Sequence, residues 1–272
     1  LFRPTENIAR MNNSAARMCI PHIPEDIYLE GLKKIVEVDA DWVPHEFGTS
    51  LYLRPFVIAT DAVLGVHAGH HYLFCIICSP SGSYYAEGIN PVKIMIESRD
   101  VRAVRGGTGF AKCGGNYAAS MRAGQEAEKK GFSQVLWLDG VEMKYIEEVG
   151  AMNVMFKIDG KIVTPDISGG TVLPGITRKS CIQVLKDWGY EVEERQLSVD
   201  ELIDAAESGR LEEAWGCGTA AVASPIGLLS YKDKDHIIAD NKIGPVTQRL
   251  YDELTGIQWG KVPDTRGWIV KV

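Results

Sequence analysis

Apolar positions near the start of the chain recur at helical spacing. Asn12, Asn13 and Ser14 are cap-type residues ahead of AARMCI, and Pro24 opens a stretch in which Ile27, Leu32, Ile35 and Val36 share one face. Two amphipathic helices are predicted. From Thr49 the pattern changes to TSLYLRPFVIAT and, after a loop, HYLFCIICSP, both rich in β-formers and read as strands. The turn-rich run SPSGSYYAEGINPV follows and is the best linker candidate. Beyond it lie KIMIESRDVRAV, a helical segment from Ala118 to about Lys130 and the strand QVLWLD. MNVMFKID and KIVTP are separated by Asp159-Gly160, a type I′ hairpin signal. RKSCIQVLKDWGY reads as a helix with Ile182 and Leu185 on one face. Ser198 to Glu201 is a capping box for the next helix, and residues 244–256 carry Val246, Leu250 and Leu254 along a last one.

One stretch breaks this alternation of elements. Arg102 to Ser120 reads RAVRGGTGFAKCGGNYAAS, with the pairs Gly106-Gly107 and Gly114-Gly115 bracketing Lys112. Glycine at that density lets backbone approach a ligand, at an entropic cost an ordinary loop has no reason to bear. A lysine there suits Schiff-base chemistry, because a desolvated amine loses its proton and becomes a nucleophile. A phosphate loop of the G-x-x-x-x-G-K type is excluded, since Ala111 precedes Lys112. A flexible loop with a solvated lysine stays open on composition alone.

Other residues stand out more weakly. Arg54 interrupts an apolar strand, where a guanidinium is costly unless it meets an anion or faces solvent. Pro55 beside it suggests an edge or bulge position. His67, His70 and His71 lack a partner carboxylate at ligand spacing and read as loop residues, so no metal is expected. Glu147 and Glu148 precede the hairpin, and an acid at such a place usually belongs to a solvated turn. In LPGITR the backbone amides of a helix start, with the Thr177 hydroxyl, make an anion site. WGCGTAA, residues 215–221, is a second small-residue loop.

A length of 272 residues favours two domains. The net charge of −7 offers no basic face for nucleic acid or an anionic membrane, so any anion must be captured locally by a few arginines and amides. No run approaches the roughly twenty apolar residues of a membrane span. Of six cysteines only Cys75 and Cys78 form a C-x-x-C, and strand alternation sends them to opposite faces, which fits packing in a reducing compartment.

The runs GGTGFAKCGGNY, EEVGAMNVMF, LPGITR and GCGTA, in that order, resemble the branched-chain amino acid aminotransferases of the fold-type IV pyridoxal phosphate enzymes. The likeness extends from LFRPTENIARM to the Trp268 region. It implies an α+β fold of the D-amino acid aminotransferase-like kind, with a small domain over residues 1–85, a linker over 86–98 and a larger cofactor-binding domain over 99–272. Because Leu1 falls inside the family pattern, a leading segment is expected to be missing. The implied reaction is transamination of leucine, isoleucine or valine with 2-oxoglutarate through pyridoxal 5′-phosphate, in a cytoplasmic homodimer. Its partners are the branched-chain L-amino acids, L-glutamate and their 2-oxo acids.

By the same resemblance Lys112 carries the cofactor, Tyr117 orients it and Glu148 meets the pyridine nitrogen. Arg54 and Arg102 neutralise the phosphate, with Ile176, Thr177 and Thr219 as neutral donors, and Asn153 supports the ring. Tyr84 lines the substrate pocket, and the amides of Thr219 and Ala220 meet the substrate carboxylate. Ala151 stands where the family often has threonine, which puts one supporting hydrogen bond in doubt. The redox C-x-x-C that some relatives carry after GTA is absent from AAVAS. Two alternatives stay open: another fold-type IV enzyme, acting on D-amino acids or as a lyase, and a catalytically silent binding protein that keeps the fold.

Overall fold

The computed structural model describes residues 1–82 and 89–272. The chain divides into two compact units, Leu1–Ala86 with Gly256–Val272, and Glu87–Thr255. In the first, helices α1 (Pro4–Arg17) and α2 (Glu25–Val38) accompany a two-stranded antiparallel sheet of β1 (Ser50–Ala59) and β2 (Tyr72–Ser81). Ile8, Tyr28 and Leu32 form the core with Leu53, Phe74 and Ile76 against them, as strand alternation requires. Arg54, opposite Ile77, is exposed and lies over the Tyr52 ring at 5.2 Å.

Two expectations fail in this unit. Asn12, Asn13 and Ser14 do not cap a helix but lie inside α1. Asn12 is buried, and its side-chain amide bonds both the N–H and the carbonyl of Ile23 at 3.0 Å, so a polar residue at a helical core position serves as a tertiary clamp. Residues 256–272, assigned above to the larger domain, belong with the first unit. The Arg3 amide donates to the Trp268 carbonyl at 2.6 Å, the Leu1 amine to the Val270 carbonyl at 2.7 Å, and the Arg3 guanidinium lies 4.6 Å from the Trp268 ring.

The second unit runs β3 (Val92–Ile96), α3 (Gly114–Lys129), β4 (Gln134–Leu138), β5 (Ile146–Val149), β6 (Asn153–Ile158), β7 (Lys161–Thr164), α4 (Ile176–Asp187), β8 (Val192–Glu194), α5 (Val199–Glu207), β9 (Leu211–Gly218), β10 (Val222–Tyr231), β11 (Lys234–Ile237) and α6 (Pro245–Gln258). The last three residues of α6 fall in the first unit. The mixed sheet of the second unit has the order β5-β4-β3-β10-β9-β6-β7-β8, with β11 also on β10. The expected linker 86–98 thus contains a sheet strand: β3 is parallel to both β4 and β10 and buries Ile94 and Ile96 in the main core. Prolines and glycines mark the approach to this strand, and five apolar-rich residues were too few to outweigh them.

Local chemistry accounts for several joints. The β6–β7 hairpin turns at Asp159 (φ 50°) and Gly160 (φ 77°), as that dipeptide predicts. Ser198 Oγ accepts from the Glu201 amide at 3.1 Å and caps α5. Helix α3 begins at Gly114, earlier than expected, so it starts two residues after Lys112. Among the described residues no helix is long and apolar enough to cross a membrane.

Candidate active site

A cleft of about 350 Å³ opens in the second unit, and Arg102, Lys112, Tyr117 and Glu148 all line it. One wall is the loop between β3 and α3. Gly109 allows its tight course, because an added Cβ would collide with the Thr171 carbonyl. Lys112 stands exposed on this wall and its Nζ donates to Tyr117 Oη at 2.7 Å. The phenol comes from the first turn of α3, five positions on, so helix geometry brings it back over the lysine.

The other wall is β5, whose four residues Ile146 to Val149 are all buried. Glu148 is 3% exposed. Its Oε2 accepts from Arg102 Nε at 2.7 Å and Nη2 at 2.6 Å, and its Oε1 accepts from the Leu173 amide at 2.8 Å. Asn153 Nδ2 reaches Oε1 at 3.4 Å and donates to the Leu173 carbonyl at 2.9 Å. Burial pushes the Glu148 carboxyl up, and the Arg102 charge, its hydrogen bonds and the Leu173 amide pull back. A buried carboxylate is tolerable only when so paired.

Arg102, assigned above to the phosphate, pairs with Glu148 and donates to the Gly109 carbonyl (3.4 Å). The nearest buried countercharge claims it. Its Nη1 is buried without a hydrogen-bond partner among the described residues. Glu147 is no solvated turn residue either: it is 6% exposed, and Oε2 has no partner among the described residues. Burial raises its carboxyl to about 7, against a Thr171 hydrogen bond and the Arg102 charge, with Asp139 and Glu148 adding to the rise.

Helix α4 starts beside this wall. Its N-cap is Gly175, with no side-chain cap, so the first amides remain available to an anion. Gly175 is required by packing, since a Cβ there would collide with Asn153 Oδ1. Ile176 and Thr177, the first helical residues, are buried. Asn153 is also the register partner of Cys217 on β9, two residues ahead of Thr219. Thr219 and Ala220 form the exposed turn into β10, and Val222 follows at φ 57°. A β-branched residue there stores about 1–3 kcal/mol of strain, a cost met most often at functional turns.

The structure therefore brings Lys112, Tyr117, Glu148 and Arg102 together in one cleft and joins Asn153 to Glu148, while Asn153, Ile176, Thr177 and Thr219 are not among the residues that line it. Arg54 lies in the first unit, and Tyr84 lies outside the described residues. Sequence reasoning missed Asn116, Leu173 and Gly175. Each sits inside a motif that was noticed, GGNY or LPGITR, but the motif does not say which atom faces the cleft.

The profile of the amino-transferase class IV family matches residues 1–228. The chain belongs to that family. It is 57% identical over 272 residues to the branched-chain-amino-acid aminotransferase 2 of Bacillus subtilis (strain 168), covering 100% of this chain and 75% of that protein. Among solved structures it resembles the Escherichia coli branched-chain amino acid aminotransferase, with a TM-score of 0.83 at 28% identity, over 99% of this chain and 84% of that one. It also resembles the T.th. branched-chain amino acid aminotransferase complexed with N-(5′-phosphopyridoxyl)-L-glutamate, with a TM-score of 0.81 at 28% identity, over 99% and 83% of the two chains. The two walls of the cleft contrast: one presents a lysine and a phenol, the other a buried acid paired to arginine.

Proposed function

We propose that this chain transfers the amino group of leucine, isoleucine and valine to 2-oxoglutarate, using pyridoxal 5′-phosphate. The observation that carries the reading is a buried, arginine-paired glutamate across one cleft from a lysine held by a tyrosine. The donor set fits the cofactor. An ionised carboxylate suits a protonated ring nitrogen, the uncapped start of α4 suits a phosphate, and Lys112 is an amine that can bind an aldehyde. Pyridoxal phosphate, when bound, supplies the sink for the electron pair left at the substrate Cα.

The chain's own residues do the rest. With the cofactor bound, Lys112 Nζ would anchor it and, once freed, would be placed to take the proton from the substrate Cα and return one to the product side. Tyr117 Oη orients that amine. Glu148 would hold a proton at the ring nitrogen, and the paired Arg102 would offset the burial that disfavours its charge. Ile176, Thr177 and Thr219 are assigned to the phosphate with Arg54, Asn153 supports Glu148, and Tyr84, Thr219 and Ala220 are assigned to the substrate. Single-turnover absorbance changes with L-leucine and L-glutamate, and borohydride fixation of the cofactor to Lys112, test this. A label on another lysine, or turnover of D-alanine but not L-leucine, refutes it. The homodimer belongs to the same proposal, and light scattering that finds a fully active monomer at micromolar concentration refutes that part.

A further inference from the structure

Lys112 has to do two jobs that differ in restraint. While it anchors the cofactor its position is set at both ends, but once released it must deliver a proton to one atom, with Tyr117 Oη at its amine and the backbone of the loop beneath it to aim it. The glycine pair at Gly114 and Gly115 stiffens nothing, since neither site has a side chain and a Cβ at either would meet no atom within 4 Å. The start of α3 adds no side-chain cap. The tie between the loop and the helix is Asn116. Its Nδ2 donates to the Thr108 carbonyl at 2.8 Å and to the Ala111 carbonyl at 2.7 Å, and its Oδ1 accepts from Thr108 Oγ1 at 2.8 Å.

These three bonds meet a turn that is already closed on itself. The Thr108 carbonyl also accepts the Ala111 amide at 2.9 Å, and the Ala111 carbonyl accepts the Cys113 amide at 3.1 Å. Asn116 thus crosses from the helix to both carbonyls of the turn that ends one residue before Lys112. Its two amide hydrogens are each committed to a backbone oxygen, which no isosteric acid can imitate, because a carboxylate accepts only.

We propose that Asn116 is a positioning residue for proton transfer: it clamps the Thr108–Ala111 turn so that the released Lys112 amine stays on the line to the substrate Cα. The inference rests on the role given to Lys112 above. A misplacement of about 1 Å costs roughly 100-fold in rate. Asn116→Asp keeps the size of the side chain, removes both donated bonds and sets a charge against two carbonyls. It should lower kcat about 10- to 100-fold while the KM for L-leucine stays within about threefold, because none of the residues assigned to the substrate is changed.

Hydrogen–deuterium exchange on cofactor-free protein tests the clamp separately from turnover. The amides of Ala111 and Cys113 should exchange at least tenfold faster in Asn116→Asp, with β4 and β5 unchanged. Asn116→Ser, which keeps one donor, should fall between the two proteins in both measurements. Asn116→Asp with wild-type kcat, or with wild-type exchange at Ala111 and Cys113, overturns the proposal, as does a rise in KM that alone accounts for the lost activity. If the wild-type protein itself turns over no amino acid, the functional reading fails and the positioning role falls with it, whatever the exchange shows.

Discussion

The starts of α3 and α4 are two answers to one problem. Both helices open without a side-chain cap, both follow a glycine-containing loop, and both carry residues assigned to the cofactor. They differ in what surrounds them. At α3 the glycines stand in open space and the lysine beside them is exposed, whereas at α4 the glycine is pressed on Asn153 and the next three residues are buried. Each start is tied by an asparagine, Asn116 to a turn and Asn153 to Glu148 and Leu173. The difference teaches that glycine-rich motifs are not one device: here one frees a side chain that must move, and the other brings fixed backbone dipoles close to where charge will sit.

Substitutions should separate the two walls, with the largest effects on the buried one. Glu148→Gln should cost roughly 10²–10³-fold in rate on folded, cofactor-loaded protein, the scale of a lost preorganised electrostatic partner. Its thermal midpoint should also fall, because Arg102 is left buried without a counter-ion. Stopped-flow half-reactions and a melting curve measure both; equal rates for Glu147→Gln and Glu148→Gln would contradict the assignment between neighbours. Gly175→Ala forces Asn153 aside and should destabilise by about 1–3 kcal/mol in a denaturant titration, as overpacking does. Cofactor affinity should fall with it.

Glu147→Gln should act through pH. Folding raises this carboxyl from its ordinary 4.5 to about 7, so between those values the unfolded chain binds fewer protons than the folded one and stability falls as pH rises. Glutamine does not titrate. The variant's melting temperature should therefore gain on the wild type between about pH 5 and pH 8, and an identical difference at both ends would refute the assignment. The smallest effect is expected at the open wall. Gly114→Ala meets nothing within 4 Å and should stabilise by about 0.4–1 kcal/mol, the usual gain from replacing glycine in a helix.

Much of this arrangement could be read from the chain, for reasons that particular residues make plain. Asp159-Gly160 specifies its turn locally, and Ser198 its cap, so both were legible. Lys112, Tyr117 and Glu148, which the family resemblance singled out from three separate stretches, line one cleft. Glu147 was not legible, because all four residues of β5 are buried by what packs around the strand, which the run IEEV does not state. Arg102 shows the same limit: a motif ranks it among the cations, but only the fold shows that it pairs with Glu148. Asn12 likewise looks like a cap until Ile23 is folded beside it.

The placement of β3 has a kinetic consequence. It lies between β4, made soon after it, and β10, so that Ile94 stands opposite Leu229. During synthesis the first partner arrives early, while the other edge of VKIMI stays bare until most of the chain has left the ribosome. Non-local parallel pairing of this kind is slow, and an open apolar edge invites pairing with strangers. The yield of active protein should therefore depend on what shields β3 in that interval, and a nascent chain stalled before Val222 should be the species that chaperones hold longest.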